Sequence, residues 1–265
     1  MKRLAAVLGW PIAHSRSPAM HDAAFAALGV DAVMLPFAVP PPALASAVRG
    51  LVALDALGAS VTVPHKAAVA ALCDELEPVA AAIGAVNCLA FDGGRVIGLN
   101  TDAGGFVDGL RAAGGAWAAR PAVVLGAGGA ARAVVAGLAD AGVDAVVVAR
   151  RPDDVAWTAA RPWSALPGLL AATALVVDAT SAGLDAEDER ALAARVPLDA
   201  APADATVATL VYHRPTAFLA AAAARGLATI DGRAMLLYQA TRAFARWTGR
   251  AAPVEVMRAA LDGAL

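Results

Sequence analysis

The chain has 265 residues, enough to bury a sizeable core and to form two lobes, with 21 basic against 23 acidic side chains and a formal net charge of −2. That balance, with no basic run, speaks against nucleic acid as a partner. Hydrophobic residues make up 59% of the chain and the mean hydropathy is +0.62; alanine supplies much of this, and charges or prolines interrupt every long apolar run, so no membrane span is expected.

Met1-Lys2-Arg3 passes directly into Leu4 to Gly9, which reads as a strand ending in a turn. The start lacks a signal-peptide cleavage pattern, and a cytoplasmic protein is expected. Cys73 and Cys88 are not spaced as a metal or redox motif, which predicts reduced, structural thiols and no metal. Gly9 to Pro18 then leads into an apolar-periodic helix through Phe25 and Leu28, closed by Gly29. Ser17 and Pro18 fit the N-cap and N1 of that helix. Ser15 has no such duty and places a second hydroxyl on the same loop, a pair suited to a polyol or a carboxylate. Residues 31–57 predict a strand, a proline-rich turn at Pro40 to Pro42 and a helix, all scaffold.

Ala59 to Val63 alternates as a strand, and Pro64 starts a helix running through Val69 and Leu72. Lys66 then falls in the first turn of that helix. A cation at the positive end of a helix dipole is disfavoured, which lowers the lysine's pKa and suits a proton-transfer group. Asn87 is an amide within apolar sequence and needs hydrogen-bond partners, from the protein or a ligand. Asp92 to Arg95 predicts a hairpin turn, and Gly98 to Asp102 leads into a helix carrying Phe106, Val107 and Leu110, with Asp102 fitting its N-cap.

Val123 to Leu125 is a wholly apolar run, as in a strand buried on both faces of a parallel sheet. Gly126-Ala127-Gly128-Gly129-Ala130-Ala131 follows and fits G-x-G-x-x-A, a turn that lets backbone N–H groups approach a pyrophosphate at a helix N-terminus. The helix carries Val134, Val135 and Leu138 until Gly142, and Val146 to Val148 completes a Rossmann-type βαβ unit. An NAD site expects an acidic residue at the end of this second strand; here stand Ala149-Arg150-Arg151. Guanidinium groups suit a 2′-phosphate, so NADP is the expected cofactor. Ala174 to Gly183 reads as a third strand with a Ser/Thr loop, including Thr180, at the sheet edge where ligands bind. Thr206 to Val211 is another strand, followed by Tyr212 to Thr216. Ile230-Asp231-Gly232 opens a long helix from about Arg233 to Thr248, with Gln239 on a mainly apolar face, and Pro253 starts a last helix.

The segments GWPIAHSRSP, SVTVPHK, GAVN, NTD, GAGGAAR, DATSAG and DGRAMLLYQA, in this order and spacing, give the chain an end-to-end resemblance to the shikimate dehydrogenase family. The resemblance implies an α/β fold of two lobes. Residues 1–101, with 233–265 packing back on them, would form an α/β substrate-binding domain, residues 102–232 a doubly wound Rossmann NADP-binding domain, and the cleft between them the active site. It implies the reversible, NADPH-dependent reduction of 3-dehydroshikimate to shikimate, in aromatic amino-acid biosynthesis by way of chorismate. Carried over position by position, it puts Ser15, Ser17 and Tyr212 on the substrate carboxylate and Thr62, Asn87, Asp102 and Gln239 on ring hydroxyls. Lys66 and Asp102 would be catalytic. Gly126, Ala127, Gly128, Gly129, Ala130, Arg150, Arg151, Thr180, Leu210 and Gly232 would line the cofactor.

Three departures from the common family pattern stand out. Ser60 replaces a frequent Asn; Ala149-Arg150-Arg151 replaces Asn-Arg-Thr, with Asp154 in place of a second arginine; and Arg233 and Ala234 replace small or apolar residues. A quinate or dual quinate/shikimate dehydrogenase is the nearest alternative, and Ser17 and Arg150 argue against it. A non-catalytic NADP-binding protein on the same fold is another, opposed by the presence of both Lys66 and Asp102; fold alone does not decide. The expected form is a monomer or homodimer acting on a small molecule.

Overall fold

The computed structural model describes residues 2–182 and 185–263. Gly183, the last residue of the DATSAG stretch, lies outside them. The chain divides into two compact units, Met1–Gly105 with Leu237–Leu265, and Phe106–Leu236.

The first unit begins with β1 (Arg3–Gly9), α1 (Ser17–Ala27), β2 (Ala32–Ala38), α2 (Leu44–Ala53) and β3 (Gly58–Val61). There follow β4 (Glu75–Leu76), α3 (Pro78–Ile83), β5 (Cys88–Asp92), β6 (Arg95–Leu99) and α4 (Thr101–Ala113). The strands form one mixed sheet in the order β2-β1-β3-β5-β6-β4. β1 lies between two parallel neighbours and is apolar and buried from Ala5 onward, as a strand covered on both faces must be. β5 and β6 are antiparallel, joined by Gly93 at φ +55° and Gly94 at φ +83°. Two successive left-handed residues make the tight hairpin turn that glycines allow without steric cost.

The second unit contains β7 (Ala122–Leu125), α5 (Gly129–Asp140), β8 (Ala145–Ala149), β9 (Ala160–Pro162), α6 (Leu166–Leu170) and β10 (Leu175–Asp178). It continues with α7 (Ala186–Arg195), β11 (Thr206–Thr209), α8 (Ala217–Ala224) and β12 (Ala228–Ile230). All pairings are parallel, in the order β12-β11-β10-β7-β8-β9. Chain direction across the sheet reverses between β7 and β10, the switch point at which doubly wound sheets bind nucleotides. One face is packed with Leu166, Leu170, Leu192 and Phe218, the other with Phe106, Leu110, Val134 and Leu138. α9 (Gly232–Thr248) and α10 (Val254–Gly263) follow, and from Leu237 onward they belong to the first unit, where α10 packs on α1.

His21 is a polar residue within the apolar core of the first unit. It is fully buried on α1 among the rings of Phe25, Phe244 and Trp247, with centroids 6.0, 6.3 and 4.9 Å away. Neither ring nitrogen has a hydrogen-bond partner among the described residues. Burial pushes its imidazole down from 6.5 to about 3.

Several elements differ from the sequence reading. The helix expected from Pro64 is a turn followed by a 3-10 segment, Ala68–Leu72. The backbone there is committed elsewhere: the Lys66 carbonyl accepts from Val86 N–H at 2.8 Å, so it does not serve an i+4 bond, and the His65 ring donates to the Val39 carbonyl at 2.8 Å. Lys66 therefore does not stand in the first turn of an α-helix of its own. β3 stops at Val61 and all four residues are buried, because it is central rather than half-exposed. α1 starts at Ser17 with Arg16 as N-cap, already helical at φ −93° and ψ −7°; Ser17 caps nothing, while Ser15 Oγ accepts from Ser17 N–H at 3.4 Å. Asp102 is not an N-cap either. The Asn100 side chain accepts from the N–H groups of Asp102 and Ala103 at 3.1 and 3.3 Å and takes that role. β11 ends at Thr209, and β9 and β12 are short strands that composition did not announce.

Candidate active site

In the first unit, parallel pairing of β1 and β3 sets Leu8 opposite Val61, so the loops that follow leave the same edge side by side. One carries Ser15 and the buried Ser17, the other Thr62 and Lys66; Trp10 N–H donates to Val63 O at 3.0 Å between them. Across the sheet, β5 begins just after Asn87 and α4 starts at Thr101.

These segments bring three of the expected residues into direct contact. Lys66 Nζ donates to Asp102 Oδ2 at 2.6 Å. Asn87 Nδ2 donates to Asp102 Oδ1 at 2.8 Å and to Thr101 Oγ1 at 3.0 Å, while Asn87 Oδ1 accepts from Thr101 N–H at 2.7 Å. Both carboxylate oxygens of Asp102 are thus held, and its side chain is only 11% exposed, against 35% for Lys66. A buried, fixed carboxylate sets the direction of the ammonium it accepts from, while the partial exposure of Lys66 leaves the amine a route to solvent protons. Thr101 completes the network, and the sequence reading had not singled it out.

Gln239 is buried on α9. Its backbone is packed against Gly105, where a Cβ would sit 2.5 Å from Gln239 N. Gly105 lies three residues beyond Asp102 and so shares its helix face. Gly105→Ala is therefore expected to move α9, costing about 1 to 3 kcal/mol of stability by overpacking and raising KM for the substrate more than it lowers kcat. Urea unfolding with steady-state kinetics checks both; unchanged stability and KM would show that the close approach is not needed.

In the second unit, a cavity of about 1000 Å³ lies over the switch point, with Gly126, Ala127, Gly128, Arg150, Arg151 and Thr180 in its walls. Gly126 has φ +99° and faces the Ala179 carbonyl, whereas Gly128 and Gly129 open onto space that a Cβ would occupy. Among the described residues no side chain caps α5, which begins at Gly129 with Ala130 in its first turn, so its leading N–H groups are left for a ligand. The glycine turn is pinned from behind by Trp157, whose Nε1 donates to the Ala127 carbonyl at 3.1 Å, and Arg132 stacks on that indole at 5.5 Å. These residues fit a dinucleotide pyrophosphate. Thr180 donates to Asp178 Oδ1 at 2.7 Å, fixing the loop after β10; burial raises the Asp178 carboxyl, and the bonds from Thr180 and Thr209 oppose that rise.

The remaining expected residues are not walls of this cavity. Gly232 N–H donates to Val211 O at 2.9 Å, and a Cβ on Gly232 would collide with the Leu210 carbonyl, so only glycine permits Leu210 and Gly232 to meet. Tyr212 is half-buried on the loop after β11, edge-on to His213 at 5.8 Å. Arg233, one of the departures, pairs with Asp231 at 2.8 Å. Both cysteines are free thiols. Among the described residues there is no cluster of His, Cys, Asp and Glu that could hold a metal ion, and no helix is long and apolar enough to cross a membrane.

Residues 7–89 match the family model of the shikimate dehydrogenase substrate binding domain, and residues 232–261 that of the shikimate 5′-dehydrogenase C-terminal domain. A shikimate dehydrogenase (NADP(+)) of Symbiobacterium thermophilum is 44% identical, over 99% of this chain and 95% of its own. The crystal structure of shikimate 5-dehydrogenase from Thermus thermophilus in complex with NADP(H) and shikimate superposes with a TM-score of 0.89 at 37% identity, covering 99% of this chain and 100% of that one. Quinate dehydrogenase from Corynebacterium glutamicum in complex with NAD has a TM-score of 0.87 at 28% identity, with 99% of each chain covered. The continuous agreement in sequence and fold, through both units, means that the chain belongs to the shikimate dehydrogenase family.

Proposed function

We propose that this protein is an NADP-dependent oxidoreductase that interconverts 3-dehydroshikimate and shikimate. The observation that carries the reading is the Lys66–Asp102 contact at 2.6 Å, locked by Asn87. Bound NADPH supplies the hydride. Lys66 supplies the proton: its ammonium transfers one proton to the carbonyl oxygen as that oxygen gains negative charge, and is reprotonated from solvent through its exposed side. Asp102 aims the amine and, with Asn87, Thr62 and Gln239, holds ring hydroxyls. Ser15, Ser17 and Tyr212 receive the carboxylate. The glycine turn from Gly126 to Ala130, with Thr180, Leu210 and Gly232, lines the cofactor, and Arg150 at the end of β8 serves a phosphorylated ribose. Free Cys73 and Cys88 suit a cytoplasmic enzyme. Every assigned residue comes from one chain, so the reading serves a monomer and a homodimer alike.

Substrate choice tests it. Shikimate has no hydroxyl on its carboxylate-bearing carbon, so Ser15 and Ser17 both serve the carboxylate, whereas quinate brings one more hydroxyl to that spot. An unpartnered hydroxyl in a desolvated site costs on the order of 1 to 3 kcal/mol, so kcat/KM with NADP should favour shikimate roughly ten to a few hundredfold. Side-by-side initial rates at the nicotinamide absorbance band decide the matter. Comparable values for quinate would make the protein a quinate/shikimate dehydrogenase, and no turnover with either would leave a binding protein.

A further inference from the structure

The two arginines at the end of β8 are not equivalent. Arg151 Nε lies 3.2 Å from Asp154 Oδ2, so its charge is answered within its own turn. Arg150 is exposed and has no carboxylate partner among the described residues. A ribose 2′-phosphate carries close to two negative charges at neutral pH and is best recognised by guanidinium groups that donate along their edges. One unpaired arginine is a thin provision for it.

The sheet supplies another. β8 and β9 run parallel with Ala149 opposite Pro162, so the next residues, Arg150 and Trp163, leave the sheet side by side. Arg195, the last residue of α7, lies over the Trp163 ring with its guanidinium carbon 4.7 Å from the centroid. Arg195, Trp163 and Arg150 all line the same cavity. Stacking uses the guanidinium's face and leaves its edge donors unspent. The C-terminal end of α7 also favours a cation there.

We propose that Arg195, held on the face of Trp163, is this chain's second cation for the 2′-phosphate of NADP, acting with Arg150 while Arg151 is occupied by Asp154. The inference rests on the NADP reading above. Because the indole fixes the guanidinium before the ligand arrives, less side-chain freedom is lost on binding than for a free surface arginine.

The test uses two ligands that differ only in the phosphate concerned, 2′,5′-ADP and 5′-AMP, titrated calorimetrically into the full-length protein. Arg195→Gln and Arg150→Gln should each weaken 2′,5′-ADP by about tenfold or more and leave 5′-AMP within about twofold, while Arg151→Gln costs less than about threefold. Trp163→Leu should weaken 2′,5′-ADP by about threefold or more, with 5′-AMP affinity reporting an intact pocket. Arg195→Gln binding 2′,5′-ADP like the wild type, or losing both ligands equally, overturns the inference and leaves the NADP reading standing. A wild type that binds the two ligands equally removes the NADP reading itself, and the role of Arg195 with it.

Discussion

Lys66→Ala should lower kcat by about 10² to 10⁴-fold while KM for shikimate changes by less than about threefold. The amine reaches its full value only as the carbonyl oxygen becomes an alkoxide, so its loss falls on the transition state rather than on the bound ground state. The 2.6 Å contact with Asp102 makes this a specific claim, since it fixes the ammonium's direction and Lys66 is the only cation in that network. The bonds of Asn87 to Thr101 and to Asp102 do not involve Lys66, so the substrate hydroxyl sites are expected to stay formed in the variant. Steady-state rates in both directions, with NADPH consumption or formation followed optically, give the split. If KM rose with kcat unaltered, Lys66 would be a binding residue and the proton would have to come from elsewhere.

The second large effect concerns acid stability. In the native state the imidazole of His21 takes up a proton only near pH 3, whereas in the unfolded chain it does so near 6.5. The unfolded state therefore binds a proton first as pH falls. His21's contribution is harmless above about pH 6.5, and below it stability drops by about 1.4 kcal/mol per pH unit, to a limit of about 5 kcal/mol near pH 3. By pH 5 the cost is about 2 kcal/mol, a large share of a typical domain's stability. His21→Leu has no proton to gain, so its urea midpoint should fall less steeply than the wild type's between pH 7 and 5. Parallel pH profiles for the two proteins would mean that the imidazole is not held neutral in that aromatic pocket.

Local chemistry made parts of this molecule readable from the chain alone. The βαβ unit from Ala122 to Ala149 was legible because buried parallel strands are continuous apolar runs and its glycine turn has few substitutes. The Gly93-Gly94 hairpin and the long helix ending at Gly249 are equally local. What failed was tertiary. Nothing near Lys66 in sequence says that Val86 claims its carbonyl, and an alanine-rich segment that prefers a helix is held as a turn by that bond and by His65. Asn100 displaced Asp102 from the cap position, which frees the carboxylate for Lys66; both residues fit a cap by type, and only the fold chooses between them. Arg195 and Trp163 were invisible for a simpler reason, lying 45 and 13 residues from Arg150 and sharing a cavity with it only because the β8–β9 register and the stacking of Arg195 on Trp163 bring them there.

The first unit is assembled from both ends of the described chain. Its core takes Leu237, Ala240, Phe244 and Trp247 from α9 and Met257 and Leu261 from α10, and the indole of Trp247 fills the space over Gly58 while donating to the Leu89 carbonyl at 2.9 Å. On the ribosome, β1 to β6 emerge well before these partners exist, whereas residues 106–236 have every strand of their own sheet in hand earlier. The second unit is therefore expected to complete its fold before the first, against the usual N-terminal-first order. Until α9 and α10 have left the ribosome, the nascent first unit lacks the Phe244 ring that packs on Phe25 and His21 and the Trp247 ring that packs on His21.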